Sequence, residues 1–363
     1  YQCTRGKDTV NGYRREDYRR VAQNGEPSER GKGEIMRPGY PHGRLFRSTG
    51  EEGDDHDERV IEGAMQALDV IENESDPFCL YVGLLGPHDP YNVPQRYLDM
   101  YDLDDVPLPV NYADNLEDKP RIYKRLRDTR FGQWTDEEVR DAIRHFWAFC
   151  SYIDDMFGRV LDRLTEMGHL DDTLIIFCSD HGDYCGEHGL FAKGIACFDG
   201  AYHVPMVMRH PTLIQNPNRT VSEFVSLADV APTLLDVAGV AVDRHFAGAS
   251  LLPFLQGNTP PTWRDAMFTQ CNGVELYYTQ RSVRTQQYKY VFNGFDDDEL
   301  YDYQSDPYEM RNVADNPHYA DIKRDLCKRL WQFAYEQNDE SVLNPYWTVG
   351  LAPYGPAIIF EDD

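Results

Sequence analysis

The feature that most constrains this chain is a single apolar stripe. Val139, Ile143, Phe146, Cys150, Ile153, Phe157, Val160, Leu164 and Met167 recur at steps of three and four residues, the spacing that lines up one face of a helix. Gly168 stands where such a helix would need a C-cap. After a turn at Asp171-Asp172 comes the run Thr173-Leu174-Ile175-Ile176-Phe177-Cys178, whose β-branched and apolar composition predicts a buried strand. The same order occurs earlier: Val60, Ile61, Met65, Leu68 and Ile71 at helical spacing, then the unbroken apolar run Phe78 to Leu85, which predicts a strand covered on both faces.

Helix alternating with buried strand implies an α/β fold, a mostly parallel central sheet flanked by helices. Val204 to Met208 adds an apolar segment, and Ala228 to Ala238 predicts a helix stopped by Gly239. The first 55 or so residues are polar, rich in Gly and Arg and without periodicity, so they are expected to form irregular surface. From about Gly257 the texture changes to short Tyr-rich segments, Tyr277 to Thr279 and Tyr288 to Phe292, then a turn at Ser305-Asp306-Pro307 and a helix with Ile322, Leu326, Leu330 and Phe333 on one face. The expected organisation is therefore an α/β domain over 1–256, a smaller antiparallel α+β subdomain over 257–338, and a strap or tail over 339–363.

Charge narrows the function. With 36 basic and 62 acidic side chains the formal charge is −26, which repels phosphate backbones and anionic lipid and argues against a nucleic-acid partner. The best basic stretch, Lys119 to Arg130, is interrupted by Tyr123 and Asp128 and is expected to be solvated surface. No apolar run approaches the ~18 residues of a membrane span. The eight cysteines contain no C-x-x-C pair; Cys79, Cys150 and Cys178 are expected to be buried free thiols, which leans toward a soluble protein of a reducing, cytoplasmic compartment rather than an exported one.

In open α/β sheets the functional crevice lies beyond the carboxyl ends of the strands. Two polar clusters fall there: Gly86-Pro87-His88-Asp89-Pro90-Tyr91 after the first strand, and the segment from Ser179 to Gly194 after the second. Asp180 and His181 can turn toward one cation if the backbone leaves the pleat, and Gly182 and Gly186 permit that. A carboxylate with an imidazole suits Mg²⁺, Mn²⁺ or Ca²⁺ once other oxygen ligands join. The alternative is local: Asp180 caps the following turn and His181 bonds its own loop. His88, held beside prolines, is placed to donate a proton to a leaving group, and Lys193 would supply a point charge to an anion.

Taken together, these segments resemble type I sulfatases of the alkaline-phosphatase-like superfamily. Ser179-Asp180-His181-Gly182-Asp183-Tyr184-x-Gly186-Glu187-His188-Gly189-Leu190-x-x-Lys193-Gly194 is similar to that family's late metal and anion motif, and Pro87-His88-x-Pro90-Tyr91 to its mid-chain histidine motif. Ser151-Tyr152-Ile153-Asp154-Asp155, Leu227 to Leu235, and Leu300-Tyr301-Asp302-Tyr303-x-x-Asp306-Pro307-x-Glu309-x-x-Asn312 resemble three further landmarks in the same order. The resemblance implies hydrolysis of a sulfate ester at its sulfur–oxygen bond. Asp180 and His181 would be metal ligands, for calcium in most of the family and for magnesium or manganese in relatives. His88 would contact the ester and protonate the departing oxygen, and Lys193 would bind a sulfate oxygen.

The sequence also departs from the family. The nucleophile, a cysteine matured to formylglycine in C-x-[PA]-S-x-R or a serine in its place, is not among these residues, nor are the Asp-Asp and G-K-x-H elements. Cys3 is followed by Thr4-Arg5-Gly6, and Pro27-Ser28-Glu29-Arg30 lacks the nucleophile. The chain is therefore expected to lack an N-terminal sulfatase segment and to be inactive alone. The expected partners are that segment and a sulfated small molecule or glycan, with homo-oligomer formation left open. The rival readings are a phosphonate or phosphodiester hydrolase of the same superfamily and a catalytically dead sulfated-glycan binder.

Overall fold

Just after Gly33 the chain forms a hairpin where irregular surface is expected: β1 (Glu34–Arg37) pairs antiparallel with β2 (Tyr40–Arg44). The computed structural model describes residues 9–10, 13–14, 29–37, 40–51, 53, 55–241, 243–273, 278–340 and 352–361. These divide into two compact units, one from 1–112, 126–170 and 185–192, the other from 113–125, 171–184 and 193–363.

In the first unit, β3 (Phe46–Ser48) is followed by α1 (Asp55–Ile71) and by β4 (Tyr91–Val93), which lies parallel to β3 with Phe46 opposite Tyr91 and Ser48 opposite Val93. The apolar stripe folds as α2 (Asp136–Glu166). Its start is fixed by a capping box, in which Thr135 accepts the Glu138 amide and Glu138 accepts the Thr135 amide. Its end is followed by Gly168 at φ +77°, the left-handed conformation that glycine takes at no steric cost. Val139, Ile143, Ile153, Val160 and Leu164 are buried, as are Ile61 and Leu68 on α1. Removing these side chains from water is the main source of the unit's cohesion.

The run Phe78 to Leu85 departs from expectation. It forms no ladder among the described residues and its side chains alternate between half-buried and exposed, with Tyr81 91% exposed. A strand is stable only with neighbours on its edges and cover on its faces; apolar composition alone reports the second requirement and not the first.

In the second unit, β5 (Ile175–Cys178) is followed by the single turn α3 (Asp199–Tyr202), and β6 (Met206–Arg209) returns antiparallel to β5, Ile175 opposite Arg209 and Cys178 opposite Met206. This corrects the local expectation of parallel neighbours: among the described residues the parallel ladder is β3 with β4. Helix α4 (Val230–Val237) stops before Gly239, which has φ +66°. Strands β7 (Ala266–Cys271), β8 (Gln280–Thr285), β9 (Tyr288–Asn293) and β10 (Glu299–Asp302) then form an antiparallel sheet in the order β10-β9-β8-β7.

Helix α5 (Ala320–Glu336) covers one face of that sheet, burying Leu326, Leu330 and Trp331 with Val283, Tyr290, Phe292 and Leu300. From the expected strap, Ile358 joins this core and the Tyr354 carbonyl accepts the Trp331 indole N–H at 2.8 Å; residues 341–351, 362 and 363 of it lie outside the described residues, as do Tyr277 and Cys3. The thiols also differ from expectation: Cys79, Cys150 and Cys178 are exposed, while Cys197 and Cys327 are buried. Cys79 and Cys178 lie on segments left open on one side, and Cys150 falls off the buried face of α2. No described helix is long and apolar enough to cross a membrane.

One buried charge in the first unit yields a pH prediction. Asp141 on α2 faces Lys32 Nζ at 2.7 Å, Arg144 Nε at 3.1 Å and His145 Nδ1 at 3.4 Å. Burial pushes its carboxyl up, but His145, Lys32 and Arg144 outweigh that and hold it down at about 2. A carboxyl lowered in the folded state contributes stability that is present above the unfolded value of ~4 and lost as pH falls through the folded one. Asp141→Asn should therefore destabilise the protein at neutral pH, with the gap to wild type closing between about pH 4 and 2 in urea melts.

Candidate active site

His88 is held by its own unit. Asp57, buried on the first turn of α1, accepts the backbone N–H of Leu85 at 2.7 Å and of Gly86 at 2.8 Å, satisfying two amides that have no ladder partner. The His88 amide closes a turn on the Leu85 carbonyl at 3.1 Å. The Gly86–Pro87 and Asp89–Pro90 peptide bonds on either side are cis. His88 Nδ1 lies 2.6 Å from the Asp89 carbonyl oxygen. A carbonyl can only accept, so Nδ1 carries the hydrogen and, in the neutral ring, Nε2 carries the lone pair. The side chain is one-third exposed.

Asp180 and His181 sit just past the end of β5, and the structure brings them together. Ser179 Oγ donates to the His181 carbonyl at 2.7 Å, the His181 amide donates to Asp180 Oδ1 at 3.0 Å, and His181 Nδ1 donates to the Gly182 carbonyl at 2.8 Å. The local alternative is thus realised: both side chains bond their own turn. Those same bonds commit Nδ1 and leave the neutral ring's lone pair on Nε2, which lies 4.0 Å from Asp180 Oδ1.

The turn is anchored at Gly182, whose N–H donates to the Ala201 carbonyl at 2.9 Å. A Cβ on Gly182 would lie 2.1 Å from the Gly200 carbonyl oxygen, so glycine is required by the close approach of α3.

A hard carboxylate that is 89% exposed and an imidazole nitrogen opposite it fit part of the shell of a divalent cation. Among the described residues no group of three or more His, Cys, Asp or Glu side chains gathers to hold a metal ion. The fit is therefore of two donors, with further ligands needed from elsewhere.

Lys193, half-buried, begins a segment tied to its unit by three successive carbonyls. Ile195 O accepts Gln280 Nε2 at 3.0 Å, Ala196 O accepts the Tyr184 hydroxyl at 2.5 Å, and Cys197 O accepts Lys289 Nζ at 2.6 Å. Lys289, on β9, also pairs with Asp199 Oδ1 at 3.0 Å and with Glu309 Oε1. The Tyr303 hydroxyl lies 2.9 Å from Asp199 Oδ1 and 2.8 Å from Glu309 Oε1, so its single proton is shared between the two carboxylates. Burial alone would push the Lys289 ammonium down, but Glu309, Tyr303 and Asp199 outweigh it and hold it well above the usual lysine range. Burial likewise opposes the Asp199 carboxylate, and Lys289 keeps it ionised.

This cluster escaped the sequence reading; its only signal is a lysine set inside the apolar run Tyr288 to Phe292. The predicted site residues divide between the units: His88 belongs to the first, Asp180, His181 and Lys193 to the second. The middle of the second motif, residues 185–192, belongs to the first unit, where buried His188 Nε2 lies 3.0 Å from Asn111 Nδ2.

Comparison with known proteins gives these features a setting. The family model described as Sulfatase matches residues 5–240, and that described as N-sulphoglucosamine sulphohydrolase, C-terminal, matches residues 186–336. The chain is similar to a choline-sulfatase of Rhizobium meliloti, 33% identical over 72% of this chain and 52% of that protein. It is similar also to an N-acetylglucosamine-6-O-sulfatase of Bacteroides thetaiotaomicron, 26% identical over 83% of this chain and 68% of that one. Among solved structures it resembles the phosphonate monoester hydrolase of Agrobacterium radiobacter, 29% identical with a TM-score of 0.69, over 77% of this chain and 60% of the other. The chain thus spans about half the length of the choline-sulfatase it matches. These neighbours give the alkaline-phosphatase-like fold class.

The geometry at His88 makes Asp57 testable. Asp57→Ala removes the acceptor of two backbone amides and should destabilise the protein by about 2 kcal/mol in urea denaturation, since each buried donor left unmet costs about 1–3 kcal/mol.

Proposed function

The chain belongs to the sulfatase family, and from that premise we propose that it carries part of the active site of a hydrolase that cleaves sulfate monoesters. The observation that carries the reading is the Asp180–His181 turn. A strand ends in a carboxylate and an imidazole whose Nδ1 is already committed to a backbone carbonyl, within the stretch matched by the Sulfatase family model.

Asp180 and His181, through Oδ1 and Nε2, would hold one divalent cation, calcium by preference and magnesium or manganese as alternatives. When bound, such an ion neutralises negative charge on the oxygens of the transferring group. The Lys193 ammonium binds one of those oxygens and stabilises the charge that builds on it. His88, with its ring protonated, would donate the Nε2 proton to the departing oxygen; Nδ1, bonded to the Asp89 carbonyl, holds the ring in place while it does so. No residue of the sequence has the family's nucleophile motif, so formylglycine or serine would come from outside these 363 residues. The substrate is a sulfated small molecule or sugar, a reading supported by the choline-sulfatase and N-acetylglucosamine-6-O-sulfatase relatives.

The second reading, hydrolysis of a phosphonate monoester, is favoured by the likeness to the phosphonate monoester hydrolase. Paired aryl sulfate and aryl phosphonate substrates, offered to the natural protein, separate the two: preference for the sulfate in kcat/KM is expected, and preference for the phosphonate would replace the reading. His88→Ala should slow substrates with poor leaving groups at least tenfold more than nitrophenyl ones, because an acid matters most where the leaving oxygen is most basic. Equal slowing of both would remove His88 from the acid role. Asp180→Ala should weaken divalent-cation binding measured by calorimetry, and unchanged affinity would remove the turn from the metal.

A further inference from the structure

The segment from Lys193 to Asp199 is short, and side chains of its own unit hold its backbone at four of its seven residues. Gln280, Tyr184 and Lys289 donate to the carbonyls of Ile195, Ala196 and Cys197. The Asp199 amide donates to Glu309 Oε2 at 2.9 Å, and the Asp199 carboxylate receives Lys289 and Tyr303. Arg284 stacks over the Tyr303 ring at 3.5 Å, with its Nε 3.9 Å from Asp199 Oδ2. Asp199 is the first residue of α3, and two residues on the Ala201 carbonyl takes the Gly182 amide, one residue from His181. Lys289 therefore bonds, at Cys197 and Asp199, the middle of a backbone path that runs from Lys193 to Ala201, whose carbonyl holds the Gly182 amide beside His181.

We propose that Lys289 is a positioning residue for Lys193: its ammonium, shared among the Cys197 carbonyl, Asp199 and Glu309, fixes the backbone from which Lys193 reaches a sulfate oxygen. The inference rests on the sulfatase reading and extends it to residues of the C-terminal sheet. An ammonium suits this place because it carries three donors on one atom, one for each of the three acceptors within its reach. Tyr303 acts in the same frame by sharing its one hydroxyl proton between the two carboxylates.

The test uses the natural protein and inorganic sulfate as the probe. Lys289→Met should weaken inhibition by sulfate about tenfold, the usual scale for loss of a group that orients a ligand-binding side chain, and should raise KM more than it lowers kcat. In a Lys193→Ala background the same change should have no further effect on sulfate, because the two act as one unit. Should Lys289→Met fail to fold, Tyr303→Phe, which removes one donor and no charge, carries the test, with a weakening of sulfate inhibition of about threefold for one lost hydrogen bond.

Folded variants whose melting temperature drops while sulfate inhibition is unchanged would overturn the positioning role. So would an effect that adds fully to that of Lys193→Ala. A natural protein that turns over sulfate esters with such variants unaffected refutes this inference alone, whereas one that neither hydrolyses nor binds sulfate refutes the sulfatase reading and this inference with it.

Discussion

A lysine with almost no exposure can keep its charge only if carboxylates come to it, and this requirement organises the second unit. Lys289 lies on a strand whose neighbours Tyr290 and Val291 are completely buried. Its ammonium is met by Glu309, Asp199 and a backbone carbonyl. Removing either partner alone would leave a charge in a low-dielectric interior, which costs several kcal/mol, while the intact cluster gains little net stability over an apolar one. The cluster is better understood as a specificity device. An apolar side chain could fill the same volume, but it would tolerate a segment sliding past it, whereas three directed bonds do not.

A second device recurs at both histidines. His88 and His181 each commit Nδ1 to the carbonyl of the following residue, at 2.6 and 2.8 Å. The bond costs little, since each ring serves its own backbone, and it decides which nitrogen holds the lone pair. One short local contact thereby sets chemistry that would otherwise alternate between two tautomers. The bland reading of His181, a side chain bonded to its own loop, and the functional reading are in this sense the same bond viewed from its two nitrogens.

What the sequence made legible follows from how local each cause is. The long helix could be read from Val139 to Gly168 because periodicity and the terminal glycine both act within a few residues. The Asp180–His181 turn was legible because a β-branched run ends there and glycine follows. The strand from Phe78 was not, because ladder formation depends on partners remote in sequence, and the antiparallel return of β6 onto β5 was hidden for the same reason. Asp57, Asp199 and Lys289 were invisible as supports, since their partners lie 28, 110 and 92 residues away along the chain. Only the oddity of a lysine amid Tyr288 to Phe292 pointed inward.

The closeness of sulfatases and phosphonate hydrolases has a physical basis in the charge that Lys193 would meet. A sulfate monoester and a phosphonate monoester both present one negative charge spread over tetrahedral oxygens, so a single ammonium beside one divalent ion serves either. A phosphate monoester carries a second charge near neutrality and would call for more positive charge than a lysine supplies. Selection between the first two must then rest on what surrounds the leaving group and on the reactivity of the central atom, not on the anion pocket. It follows that changes confined to Lys193 or its supports should alter both substrates in parallel, and that a residue able to separate them will be found away from the charge-neutralising groups.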